Sequence, residues 1–125
     1  MQRFSKLIPI INAYLPPLLW ASLIFILSDQ STLPGASSPV VDLIFKQSAH
    51  TFVYAVLHFL IWRINKKQVL APILITLAYA LTDEFHQSFI PGRTATWIDI
   101  GFDSIGILIS HYLTHRQKEL HSNTK

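Results

Sequence analysis

"LIPIINAYLPPLLWASLIFILS", residues 7–28, runs for 22 residues without a charge between Lys6 and Asp29. At about 1.5 Å of rise per residue, a helix of that length crosses the ~30 Å hydrocarbon core of a bilayer. Pro16 and Pro17 predict a kink, or a true helix start near Leu15. Three further apolar runs follow: "QSAHTFVYAVLHFLIW" (47–62), "QVLAPILITLAYALT" (68–82) and residues 97–115. They are short if every charge must stay out of the membrane, and long enough if the charges at one end lie inside it. None carries the broad polar stripe of a soluble bundle helix. The reading is all-α: one domain over residues 1–125, with four transmembrane helices at about 8–28, 47–64, 68–88 and 96–114.

Composition agrees. Only 14% of the 125 residues are charged, 50% are hydrophobic and the mean hydropathy is +0.37. Soluble domains carry roughly a quarter charged residues. The absence of Cys excludes disulfides and thiolate metal sites. The net charge of +3 comes from basic residues set between apolar runs, with no basic–aromatic patch, so a nucleic-acid partner is excluded. A cleaved leader is the alternative for the first run, since Arg3 and Lys6 precede it; its length and the lack of an A-x-A site favour a retained helix.

Charge asymmetry sets the expected orientation. Four spans put both termini on one side, with Arg3, Lys6, Arg63, Lys66, Lys67, Arg116, Lys118 and Lys125. The opposite side keeps Lys46 and Arg93 together with Asp29, Asp42, Asp83, Glu84, Asp99 and Asp103, leaving Glu119 as the one acid on the basic side. Both termini are therefore expected in the cytoplasm, in a multi-pass membrane protein. Between Asp29 and the second run, Ser38 and Pro39 suggest the cap and first turn of a short interfacial helix over "VVDLIF".

The outer acids concentrate in "TDEFHQSFIPGRTATWIDI", residues 82–100. Pro91-Gly92 suits the two central positions of a type II turn, which would bring helices three and four together antiparallel. Asp83, His86 and Gln87 share one helical face, with Glu84 beside them; Asp99, Asp103 and Gly106 share another; His50, Tyr54 and His58 follow i, i+4, i+8. The economical arrangement points these stripes at one another around a cavity open to the outside. Carboxylates at membrane depth imply a functional site with a partner. Plainer roles are also available: Asp99 in a capping box beginning at Thr96, Arg93 as a snorkelling residue, His58 as a core histidine, and Lys46, Trp20, Trp62 and Trp97 as interfacial anchors.

The stretch "DEFHQSFIPGRTATWIDIGFDSIG" resembles the VanZ-like family of small bacterial membrane proteins. The shared pattern is Asp83-Glu84, His86-Gln87, Pro91-Gly92-Arg93, Asp99 and Gly106, with Ser28 ending the first helix and "SAHTFVY" supplying His50 and Tyr54 upstream. Three positions depart: Asp103 stands where members usually carry Asn, Val53 where many carry Glu, and Gln47 in the customary Lys position, with Lys46 one residue earlier. The resemblance implies a cell-envelope role in the cytoplasmic (inner) membrane of a bacterial cell; the name-giving member is linked to resistance to the glycopeptide antibiotic teicoplanin.

These readings make the expected site His50, Tyr54, Asp83, Glu84, His86, Gln87, Arg93, Asp99 and Asp103. As a binding protein it would engage an envelope lipid headgroup or a glycopeptide-type antibiotic. As an enzyme on a lipid-linked precursor it would use Asp83, Glu84 and His86 (or His50) for acid–base chemistry, with Arg93 stabilising charge. As a structural or partner-binding protein its polar cluster would only fix helix packing. A proton-coupled transporter is a weaker reading, since four helices leave little room for alternating access. A divalent metal on Asp83, His86 and Asp99 matches no established spacing, so no metal or cofactor is assigned.

Overall fold

The structure, a computed structural model, describes residues 2–30, 38–93 and 95–122. Most of the first outer connection (31–37), Thr94 in the second and Lys125 lie outside the described residues. Four helices follow in order: α1 (Gln2–Ser28), α2 (Pro39–Trp62), α3 (Leu70–Gln87) and α4 (Trp97–Ser122). They pack as an up-down-up-down bundle, so the C-terminal ends of α1 and α3 meet the N-terminal halves of α2 and α4. That end carries the polar residues.

Two expectations about helix boundaries are corrected. The prolines do not start α1: the helix runs through Pro9, Pro16 and Pro17 from Gln2 onward. A proline within a helix leaves the carbonyl four residues before it without its usual donor. For Pro16 that carbonyl belongs to Asn12, and Arg63, the C-cap of α2, donates Nη2 to it at 2.9 Å. The expected separate interfacial helix also does not exist, since "VVDLIF" is the first part of α2. Pro39 sits at the helix N-terminus and Ser38 is the N-cap, in extended conformation with φ −136° and ψ 132°, without a side-chain capping bond. Nothing between Pro39 and Gln47 breaks the helix, so one element spans both segments.

The turn between α3 and α4 is as read. Gly92 has φ 82° and the Arg93 N–H donates to the Ile90 carbonyl at 3.1 Å. A positive φ at the third turn position is the type II requirement that glycine meets without strain.

Helices α2 and α4 run parallel and share the most extensive contact in the bundle. They approach so closely at Gly106 that a Cβ there would overlap the backbone carbonyl of Thr51. Thr51 in turn donates its hydroxyl to the Phe102 carbonyl at 3.2 Å. A glycine at such a crossing lets the two backbones approach closely. Trp20 donates its indole N–H to the Val53 carbonyl at 2.9 Å and Tyr79 its hydroxyl to the Ala21 carbonyl at 2.6 Å, tying α1 to α2 and α3. Trp20 is therefore a packing residue, as is the buried Trp62; only Trp97, 85% exposed, keeps the position of an interfacial anchor.

The partition of side chains is inverted relative to a water-soluble domain. Among the described residues eleven polar or charged ones are buried against six hydrophobic ones, while Phe52, Leu74 and Leu108 on three different helices are more than half exposed. Interiors of soluble domains are dominated by apolar residues; here large apolar side chains crowd the exterior. Among the described residues one helical segment, Leu7–Ser28, is long and apolar enough by itself to cross a membrane. The other helices turn Gln47, His58, Asp83, Gln87, Asp99 and Asp103 inward, which lowers their mean hydropathy; α4 also ends in the exposed polar residues 116–119.

The crossing gives a paired prediction. Gly106→Ala should destabilise the protein by about 1–3 kcal/mol, the usual penalty of overpacking, because backbone rather than a flexible side chain must yield. Gly101→Ala, where nothing lies within 4 Å of the added carbon, should be neutral or stabilising by about 0.5–1 kcal/mol. Thermal unfolding of the two variants in one detergent checks both.

Candidate functional site

The polar end is assembled from four helices. Its centre is Asp83 on α3, 4% exposed. Its Oδ2 accepts from the Tyr54 hydroxyl at 2.9 Å, from the Ser28 hydroxyl at 2.9 Å and from Gln87 Nε2 at 3.0 Å. Gln87 Nε2 also lies 3.2 Å from Ser28 Oγ. One carboxylate oxygen thus gathers donors from α1, α2 and α3, all of them neutral. The i, i+4 spacing of Asp83 and Gln87 makes the local contact; the other two depend on how the helices are rotated.

Asp99, in the first turn of α4, is fully buried. Lys46 Nζ donates to its Oδ2 at 2.8 Å and Gln47 Nε2 to its Oδ1 at 2.9 Å. These bonds replace the capping-box role allowed for Asp99 and correct the anchoring role given to Lys46. The displaced lysine reaches the carboxylate from position 46 while Gln47 supplies a second donor, so adjacent residues on α2 serve both oxygens.

One turn further along α4, Asp103 is also fully buried, and its Oδ1 lies 2.8 Å from His50 Nδ1. His50 and Tyr54, four residues apart on α2, stack with ring centroids 6.4 Å apart. Glu84 of α3 faces the same space. His50, Glu84 and Asp103 each place one donor atom within 4.8 Å of the others. Glu84 is 5% exposed, and among the described residues neither of its oxygens has a hydrogen-bond partner; Asp103 Oδ2 is buried without one too.

Two expected members do not join. His86 turns outward to α1, stacking on Phe25 at 4.6 Å between ring centroids. Its Nε2 lies 3.4 Å from Asp29 Oδ1, without hydrogen-bond geometry. The cause is angular: His86 is three residues after Asp83 but only two after Glu84, and rotation that aims Glu84 at α4 carries His86 toward α1. Arg93, at the end of the turn, is half-buried with an unpartnered Nε, and among the described residues it pairs with none of the four carboxylates. The trio Asp83, His86 and Asp99 therefore does not converge, and His50, Glu84 and Asp103 do.

Three contributors lay outside the expected set. Gln47 could have been found, since it lies three residues before His50 and seven before Tyr54 on one helical face. Ser28 had the weaker signal of a lone hydroxyl closing an apolar run. Lys46 had only its place one residue before the family's customary Lys, and its reach to Asp99 depends on how α2 and α4 pack. His58 is the core histidine expected: fully buried, with Nδ1 2.9 Å from Ser110 Oγ and its ring edge-on to His111.

The family model described as VanZ/LLP1 matches residues 6–117, and the chain belongs to that family. No curated protein and no solved structure matches it.

The Asp99 contacts generate a second prediction. Lys46→Met should destabilise the protein by about 1–3 kcal/mol, since it strands a buried charge on one neutral donor. Adding Asp99→Asn should recover much of that loss. A double-mutant cycle of thermal stabilities reads the coupling.

Proposed function

We propose that this VanZ/LLP1-family chain is a four-span protein of the bacterial cytoplasmic membrane that binds an anionic envelope lipid, its chain between α2 and α4 and its headgroup at the outer polar end. The observation that carries the reading is a groove of about 740 Å³ between these helices. Phe52, Ala55, Phe102 and Ile109 give it an apolar floor, and Lys46 and Thr96 lie at its polar end. That volume is typical of sites for ligands of several hundred daltons. A groove apolar along its length and polar at one end matches an amphiphile.

Further features support this reading. Lys46 and Gln47 stand level with the first turn of α4, so Pro39–Phe45 projects beyond it. That projection exposes Val40, Val41, Leu43, Ile44 and Phe45, a surface suited to the outer-leaflet boundary. Arg93 precedes Thr96 by three residues, and its unpartnered guanidinium nitrogen supplies a cation for a phosphate. The inverted side-chain partition and the excess of basic residues at the opposite end support four spans with both termini cytoplasmic. A lipid-tailed glycopeptide antibiotic has the same division into chain and polar head, and is the second ligand this groove would suit.

The enzymatic alternative is narrower than the sequence allowed. Asp83 is held by three donors and His86 lies outside the cluster, which leaves Glu84 as base and His50 as its proton partner. The unpartnered oxygens of Glu84 are what favours it. In the structural alternative the same bonds only hold the bundle together.

Two outcomes are expected. Native mass spectrometry of the gently purified chain should show a retained phospholipid, lost in Ala55→Trp, which fills the groove, and reduced in Arg93→Ala. Leu74→Trp, on the exposed face of α3, should keep it. A lipid equally retained in Ala55→Trp would sink the reading. In intact cells, a cysteine placed at position 90 should react with a membrane-impermeant maleimide, and one at position 66 should not. The reverse pattern would overturn the orientation.

A further inference from the structure

We infer that His50, Glu84 and Asp103 form a binding site for one divalent first-row cation of the zinc type, at the junction of α2, α3 and α4. The three donor atoms lie within 4.8 Å of one another. Zinc sits about 2.0–2.2 Å from nitrogen and oxygen ligands. A shared ion thus requires donor atoms no more than roughly 4.2 Å apart, and closure by a few tenths of an ångström is within reach of the Glu84 side-chain torsions.

The argument rests on which carboxylates the protein supplies with donors. Asp83 receives three, and Asp99 receives Lys46 and Gln47. Glu84 receives none on either oxygen, although it is 95% buried, 5% exposed. Asp103 has a partner on Oδ1 only. Among the described residues, no N–H or O–H group partners these three carboxylate oxygens. A buried carboxylate without a donor is costly, and four carboxylates are buried here against Lys46 and His50. A cation of charge two would satisfy those oxygens and offset the surplus negative charge together.

The donor set selects the class of ion. One imidazole nitrogen with two carboxylates suits zinc and its first-row neighbours, whereas magnesium prefers an oxygen shell that retains water. Three protein ligands leave a fourth position open. His50, whose side chain is 11% exposed, is the least buried of the three and marks where water or a ligand group would enter.

This site does not depend on the lipid reading, because it can be assayed with the metal alone. The full chain, purified in detergent and stripped with a chelator, is titrated with zinc chloride by calorimetry, with magnesium chloride as the hard-cation control. One zinc per chain is expected. At least a tenfold loss of affinity is expected in Glu84→Gln and in Asp103→Asn, and none in Asp29→Asn, an exposed acid outside the cluster. Zinc should also raise the melting temperature of the wild type and leave that of Glu84→Gln unmoved. Without zinc, Glu84→Gln should melt no lower than the wild type, since it removes an unpartnered buried carboxylate. Absence of saturable zinc binding, retention of it in both cluster variants, or equal affinity for magnesium would each overturn the assignment.

Discussion

Carboxylates tie the helices of this bundle together at its polar end. Asp83 joins α1, α2 and α3 through one oxygen, and Asp99 and Asp103 each join α4 to α2. The reason lies in the exterior. In the four-span membrane setting proposed above, the helix surfaces are as apolar as their surroundings, so burying more apolar surface contributes little to association, and hydrogen bonds and close packing must supply it. The same low dielectric strengthens each of these bonds and raises the cost of any acceptor left out.

That constraint explains where the bundle is tightest. Gly106 lets α4 touch the backbone of α2 at Thr51, one helical turn from Asp103. The contact fixes the rotation of α4 about its axis, and that rotation brings Asp99 to Lys46 and Asp103 to His50. A lysine one position earlier on α2 still reaches its acid because the side chain is long. A glutamine in the next position then takes the second oxygen.

Function and stability separate within the cluster along the same line. Carboxylates furnished with donors are occupied in holding helices together, so they are poor candidates for chemistry. Glu84 and the free oxygen of Asp103 are buried without such a role. They lie beside His50, on the helix whose other flank forms the apolar groove with α4. A headgroup seated at the mouth of that groove and an ion held by the trio would be neighbours, served by opposite faces of one helix.

Much of this was legible in the chain alone. Long uncharged runs gave four helices in order, Pro91-Gly92 gave the sharp return between the last two, and i, i+4 spacing identified the stripes through Asp83, Asp99 and His50. These features are local: a helix turns about 100° per residue, so residues sharing a face are set by sequence. What only the tertiary structure decided was the phase of each helix against the others. It drew Lys46 and Ser28 into the cluster, turned His86 onto Phe25, left Arg93 without a carboxylate partner and ran "VVDLIF" into α2. It also divided the acids into those with donors and those without. Phase is set by contacts such as Gly106 against Thr51, between residues more than fifty positions apart, and no local pattern encodes them.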